Sequence, residues 1–186
     1  MSQQQADTAQ GVRIPLVSKT RPHRSLEERI LVRFPRVARW LRAFLLALPP
    51  TSRLRQAILA RALQQAYAAW NRRDFDFLVT ALDPGYELHT GHVLPEVGSI
   101  FHGHDGLREF ARELLGGVDA RLDPQEALDF GERVLVTTKL TGHGTGSGVL
   151  VSQPLYQVMT FRRGLMVRQH DFQDRREALR AVNVSE

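Results

Sequence analysis

Past Gly117 the helical spacing of apolar residues gives way to β-rich stretches. Three of them, Arg133 to Thr141, Val149 to Arg162 and Leu165 to Phe172, follow one another at hairpin spacing, and a weaker one precedes them at about Arg121 to Phe130. Gly142 to Gly148 connects the first pair, and Arg163-Gly164 makes a tight turn between the second. Helices first and a meander of long strands afterwards is the organisation of an α+β domain, in which a sheet buries one face against helices.

The helical part is equally periodic. Leu54, Ile58, Ala62, Ala66 and Trp70 recur every fourth residue with Leu63 and Tyr67 alongside, predicting a helix capped by Thr51 or Ser52 that runs to about Asn71. Asp74 caps a short helix ending near Leu82, Asp83-Pro84-Gly85 is a turn, and Tyr86 to His89 begins an extended segment. His89 to His104 reads as loop with a short strand near Ser99 to Phe101. Leu107, Phe110, Ala111, Leu114 and Leu115 form one buried face of a further helix, capped by His104 or Asp105 and stopped by Gly116-Gly117. Asp174 caps a last helical turn through Ala181.

Nearer the N-terminus, Ser25 and Glu28 form a capping box ahead of a helical segment that Pro49-Pro50 ends. Pro35 divides this segment into two short helices. Leu26, Ile30, Phe34, Val37, Leu41, Phe44, Leu45 and Leu48 gather on one side, with Arg29, Arg33, Arg36 and Arg39 on the other. Before it, residues 1–24 have few large apolar residues, no periodicity and two prolines, Pro15 and Pro22. The chain thus divides into a disordered arm (1–24), a basic amphipathic helical extension (25–50) and one globular domain (51–186).

Charge follows the same division. Met1 to Arg73 holds 14 Lys+Arg against three acids, a balance of +11, whereas Asp74 to Glu186 balances at −6. With no cysteine, disulfides, cysteine-ligated zinc, iron–sulfur clusters and a cysteine nucleophile are excluded. No serine sits in a nucleophile elbow, and Gly142 to Gly148 lacks the lysine and the strand-to-helix setting of a phosphate loop. No uninterrupted apolar run is long enough to span a bilayer, and Met1 to Gln10 lacks a signal-peptide core, so the expected location is cytoplasmic.

Several punctuating residues come in a recognisable order. Asn71-Arg-Arg-Asp74 follows the first domain helix, Asp83-Pro84 precedes the first strand, and Phe101-His-Gly103 leads into the next helix. Gly131-Glu-Arg-Val-Leu-Val136, Gly146-Ser147-Gly148, Thr160-Phe-Arg-Arg-Gly164 and Asp174-Arg-Arg-Glu-Ala-Leu179 follow. From about Arg53 to Val182 this order resembles the cone-shaped family related to nuclear transport factor 2, in its SnoaL-like (polyketide-cyclase-like) branch. The resemblance implies a strongly bent antiparallel sheet wrapped around helices, a cavity open at the wide end of the cone, and a homodimer formed through the outer face of the sheet. No cofactor is implied. It fixes no activity, since the fold hosts isomerases, cyclases, dehydratases, epoxide hydrolases and non-enzymatic binders.

A cavity enzyme of this kind needs a proton-transfer group and a donor for a developing oxyanion. In strict alternation Met166, Arg168, His170 and Phe172 share one face of the last strand and Val167, Gln169 and Asp171 the other. Only a bulge would bring both His170 and Asp171 to the cavity. Met166 and Phe172 make the first face the more apolar, so His170 is the leading acid–base candidate, with His89 near the cavity mouth or Asp171 assisting. Tyr67, Trp70, Phe101, Gln157 and Arg168 are the candidates for shaping the site around a small hydrophobic, carbonyl-bearing ligand. His89, His92, His102 and His104 have spacings that could hold a metal, but a glycine-rich loop containing histidines is the plainer reading.

For the extension, the plainest reading packs its apolar face on the cone with the arginines in solvent. A second places it peripherally on anionic membrane. Nucleic acid is the weakest reading, because charge stands there without a recognition motif. The rival to an enzyme is a non-catalytic ligand-binding or dimerisation module, attached to membrane or partner by this basic helix.

Overall fold

A computed structural model describes residues 11–18, 22–91, 100–144, 148 and 150–183. Among them the elements run β1 (Val12–Pro15), α1 (Leu26–Arg33), α2 (Pro35–Leu46), α3 (Arg53–Asn71), α4 (Phe75–Val79), β2 (Leu82–His89), β3 (Ile100–His102), α5 (Gly103–Gly117), β4 (Arg121–Asp129), β5 (Arg133–His143), β6 (Leu150–Arg162), β7 (Leu165–Phe172) and α6 (Arg175–Asn183). The strands form one curled, open sheet in the order β1-β4-β5-β6-β7-β2-β3. Neighbours run antiparallel except for β2 and β7, which are parallel. This is the α+β organisation expected from the order of helices and strands, with the curled sheet of the cone that the resemblance implies.

The inner face of the sheet closes on α3 and α5. Leu63, Tyr67 and Trp70 of α3, Phe110 and Leu114 of α5, and Val134, Val136 and Leu140 of β5 belong to one buried cluster. Trp70 packs edge-on to Phe75 and against Phe110, with ring centroids 5.7 Å apart in each case. On the outer face α6 covers Leu135 and Val158 with Ala178 and Val182.

Three sequence expectations change. Val12–Pro15, assigned to a disordered arm, pair with β4 from Asp129 to Glu126, and Ile14 is buried. As the edge strand, β1 can end in Pro15, whose missing N–H needs no partner on the open side. Asp83-Pro84-Gly85 lies within β2 as a bulged insertion, since Leu82 pairs with Met166 but Glu87 with Arg168. The α5 helix begins at Gly103, earlier than a His104 or Asp105 cap implies; Gly103 has φ 66°, and a Cβ there would stand 3.0 Å from the Pro84 carbonyl oxygen.

The extension departs most from the plain reading. The capping box is present: Ser25 Oγ accepts from Glu28 N, and Glu28 Oε2 accepts from Ser25 N. Yet Leu26, Ile30, Phe34, Val37, Leu41 and Phe44 are all exposed. Polar groups hold the helices instead. Fully buried Glu28 is 3.0 Å from Arg72, and Arg42 donates to the carbonyls of Thr80 (2.6 Å) and Gly164 (3.1 Å). Arg55 of α3, 2% exposed, binds Asp129 bidentately at 2.7 and 2.8 Å and also donates to the Leu46 and Leu48 carbonyls. It thereby satisfies carbonyls left over where α2 ends.

Candidate functional site

The space between α3, α5 and the inner face of the sheet is not filled by side chains. A cavity of about 110 Å³ remains, walled largely by aliphatic and aromatic residues such as Leu63, Trp70, Leu88, Phe110 and Met159. Its size is of the order of the roughly 150 Å³ apolar cavity that accommodates a benzene ring in an engineered protein. Polar groups concentrate on one wall, where Gln157 of β6 and Asp171 of β7 stand directly opposite each other in register.

These groups form two arms that meet on one carboxylate oxygen. Tyr67 Oη donates to Gln157 Oε1 at 2.7 Å, and Gln157 Nε2 donates to Asp171 Oδ1 at 3.1 Å. Opposite, Tyr86 Oη donates to Gln169 Oε1 at 3.4 Å, and Gln169 Nε2 donates to the same Oδ1 at 2.9 Å. Each tyrosine occupies an amide oxygen, and so turns the amide nitrogen towards the carboxylate. Oδ2 accepts no hydrogen bond among the described residues.

Burial dominates the electrostatics. It raises the Asp171 carboxyl to about 6, and the amide bonds from Gln169 and Gln157 offset only part of that rise. Burial, then the nearby Asp171 charge, keeps the Tyr67 and Tyr86 phenols protonated well past neutrality. The arrangement can accept or return a proton near neutral pH while its phenols remain donors.

The structure therefore reverses the expected faces of β7. Thr160 pairs with Arg168 but Phe161 with Met166, leaving Val167 as an extra residue. This bulge resets the alternation. Met166 joins Gln169 and Asp171 along the cavity, while His170 lies on the outer face with Phe172, their ring centroids 4.3 Å apart. His170 does not line the cavity. Its pKa is lowered by burial and by the neighbouring His89 and Arg168.

His89 is also outside, its ring 5.4 Å from His170 and its Nε2 3.1 Å from Glu87 Oε2. Arg168 binds the same Glu87 oxygen at 3.2 Å and stays on that outer surface. Phe101 is core, packed behind Phe110 at 5.5 Å. Tyr67, Trp70, Gln157 and Asp171 are brought together at the cavity. Gln169 and Tyr86 complete the site without having been singled out; a polar i, i+2 pair in a late strand was the available signal. Among the described residues no three His, Asp or Glu form a metal-binding group, His104 Nε2 lies 3.3 Å from the Leu82 carbonyl, and His92 falls outside the described residues.

Comparison with known proteins gives a consistent answer. Residues 63–169 match the model of the SnoaL-like domain. The fold is similar to that of TerC co-crystallised with polyporic acid: TM-score 0.56, 23% identity, covering 64% of this chain and 96% of that one. It is similar to a nuclear transport factor 2-like protein of unknown function from Burkholderia pseudomallei K96243, with TM-score 0.56, 26% identity and coverage of 67% and 96%. A protein with a ketosteroid isomerase-like fold from Catenulispora acidiphila DSM 44928, in complex with trimethylamine, matches with TM-score 0.51, 14% identity and coverage of 64% and 89%. No match was found among curated proteins.

Proposed function

The chain belongs to the SnoaL-like domain family, and from that premise we propose that it binds a small, mainly apolar, carbonyl-bearing molecule and moves a proton on it with Asp171. The observation that carries this reading is a buried carboxyl with a pKa of about 6 at the polar wall of an apolar cavity. Such a group is poised between base and acid at neutral pH. Structural relatives crystallised with polyporic acid and with trimethylamine support the binding of small organic molecules.

In this mechanism Asp171 Oδ2 removes a proton from the carbon next to the ligand carbonyl. The electron pair moves onto the carbonyl oxygen, and Asp171 then returns the proton to another position. Gln157 and Gln169 hold Oδ1, so that the carboxylate presents one oxygen in one orientation. Tyr67 and Tyr86 hold the two amides. Isomerisation, cyclisation and dehydration share this first step.

Solvent-deuterium uptake by a panel of small cyclic enones and diketones, followed by proton NMR, tests the reading without a known substrate. The protein should accelerate uptake for some members, with a rate that rises with pH through about 6 as Asp171 ionises. Asp171→Asn should lower that rate by roughly 10²–10⁴-fold. Equal exchange by the wild type and Asp171→Asn across the panel would remove Asp171 from the chemistry.

The homodimer expected from the resemblance would use the part of the outer face left open by α6, where His89, Arg168 and His170 lie. Sedimentation of the full chain tests this pairing. A monomer at all concentrations would reject it.

A further inference from the structure

The extension meets the domain through Glu28, Ala38, Arg42 and Leu45, and not through its large apolar residues. Buried Glu28 and the Arg42 bonds to the Thr80 and Gly164 carbonyls fix α1 and α2 to the domain, joined by the small contacts of Ala38 and Leu45. Gly164 meets α2 so closely that a Cβ would stand 2.5 Å from the Arg39 carbonyl oxygen. The helices are therefore held in place, while their large apolar residues point elsewhere.

Those residues form a surface. Val37, Trp40, Leu41 and Phe44 are 63, 70, 45 and 54% exposed along α2, and Ile30 and Phe34 continue the patch at 51 and 56%. The Trp40 and Phe44 rings stack 6.1 Å apart. Exposed apolar groups are ordinary singly, but a contiguous set including a tryptophan marks a binding face. The charges around it have one sign. Arg29, Arg33, Arg36 and Arg39 are exposed, and none is in an ion pair among the described residues. The two acids of α1 are already engaged, Glu27 by Arg61 and Glu28 by Arg72.

We infer that this face of α1 and α2 docks the protein peripherally on an anionic phospholipid surface. Aliphatic and aromatic side chains enter the boundary between headgroups and acyl chains, where tryptophan is favoured, and the arginines meet lipid phosphates. Charge complementarity selects lipid over a second copy of the chain, because facing two such surfaces would bring eight arginines together without a matching acidic patch. No described helix is long and apolar enough to cross a membrane, so the contact is lateral.

Flotation of the full chain with vesicles tests the inference. One set contains phosphatidylcholine alone, the other phosphatidylcholine and phosphatidylglycerol in equal parts. The protein should float with the anionic vesicles, and added salt should weaken the binding. Arg36→Gln with Arg39→Gln should reduce vesicle affinity roughly 25-fold, at about fivefold for each arginine. Trp40→Ala with Phe44→Ala should reduce it at least ~10-fold. All four side chains are exposed, and circular dichroism checks that the variants fold. Failure of the wild type to float with anionic vesicles overturns the proposal. So does flotation that survives both double substitutions, or a dimer that Trp40→Ala with Phe44→Ala converts to monomer while lipid binding is absent.

Discussion

The proton-transfer role proposed for Asp171 would come at a cost to the fold. Its carboxyl ionises at about 6 in the folded chain, against an ordinary value near 4. Between these values the folded state holds the proton more tightly than the unfolded state. Stability from this group is therefore greatest below pH ~4 and falls as pH rises to ~6, by about 3 kcal/mol. Asp171→Asn removes the penalty, since the amide oxygen still accepts from Gln157 and Gln169. Urea denaturation at pH 8 should find the variant more stable than the wild type, with the gap closing by pH 4. A variant less stable at pH 8 would show that the ionised carboxyl supports the fold. The sequence revealed both members of His170-Asp171 but chose the wrong one to face inward. Strict alternation from Met166 puts His170 on the Met166 face, and the unpaired Val167 between Met166 and Arg168 shifts it to the other. A bulge has no required residue here, so neither composition nor spacing announces it.

At the scale of elements, the four-strand meander and the helices around it were legible because their periodicities and turn residues agree. The mounting of α1 and α2 was not. An amphipathic wheel shows where apolar residues gather, but not whether that side meets the domain. Here long-range polar partners decide, and Arg55 is the clearest. It joins α3 to Asp129 at the end of β4 and to the last carbonyls of α2. Arg55→Leu leaves Asp129, 1% exposed, as a buried carboxylate without its counterion. A loss of about 3–5 kcal/mol follows for breaking such a pair from one side. Replacing both residues, Arg55→Leu with Asp129→Leu, should recover much of it. Denaturant unfolding of the two single variants and the double variant measures the coupling. Additive losses would mean that the pair contributes no interaction of its own.

For the whole molecule, the family match begins at residue 63, and the structural relatives are 89–96% covered by only 64–67% of this chain. The cone is thus complete elsewhere without the extension, whereas here β1, α1 and α2 are built onto it. The links are arranged so that removing the extension strands no buried charge: Arg72 keeps Asp74, and Arg55 keeps Asp129. What would be lost includes the Arg24–Asp74, Glu28–Arg72 and Glu27–Arg61 pairs, the Arg42 bonds to the Thr80 and Gly164 carbonyls, the pairing of β1 with β4 and the contacts of Ala38 and Leu45. A chain beginning at Thr51 should therefore still unfold cooperatively, at lower denaturant than the full chain. It should also keep the Asp171-dependent deuterium exchange, because no cavity-lining residue precedes Leu63. Its exposed β4 edge should make it more prone to associate at high concentration, and it should no longer float with anionic vesicles. Denaturant unfolding, exchange and flotation on the same preparation separate these properties. A chain from Thr51 that unfolds without cooperativity would show that the extension is part of the folding unit. One that folds but loses exchange would place the extension in control of the cavity.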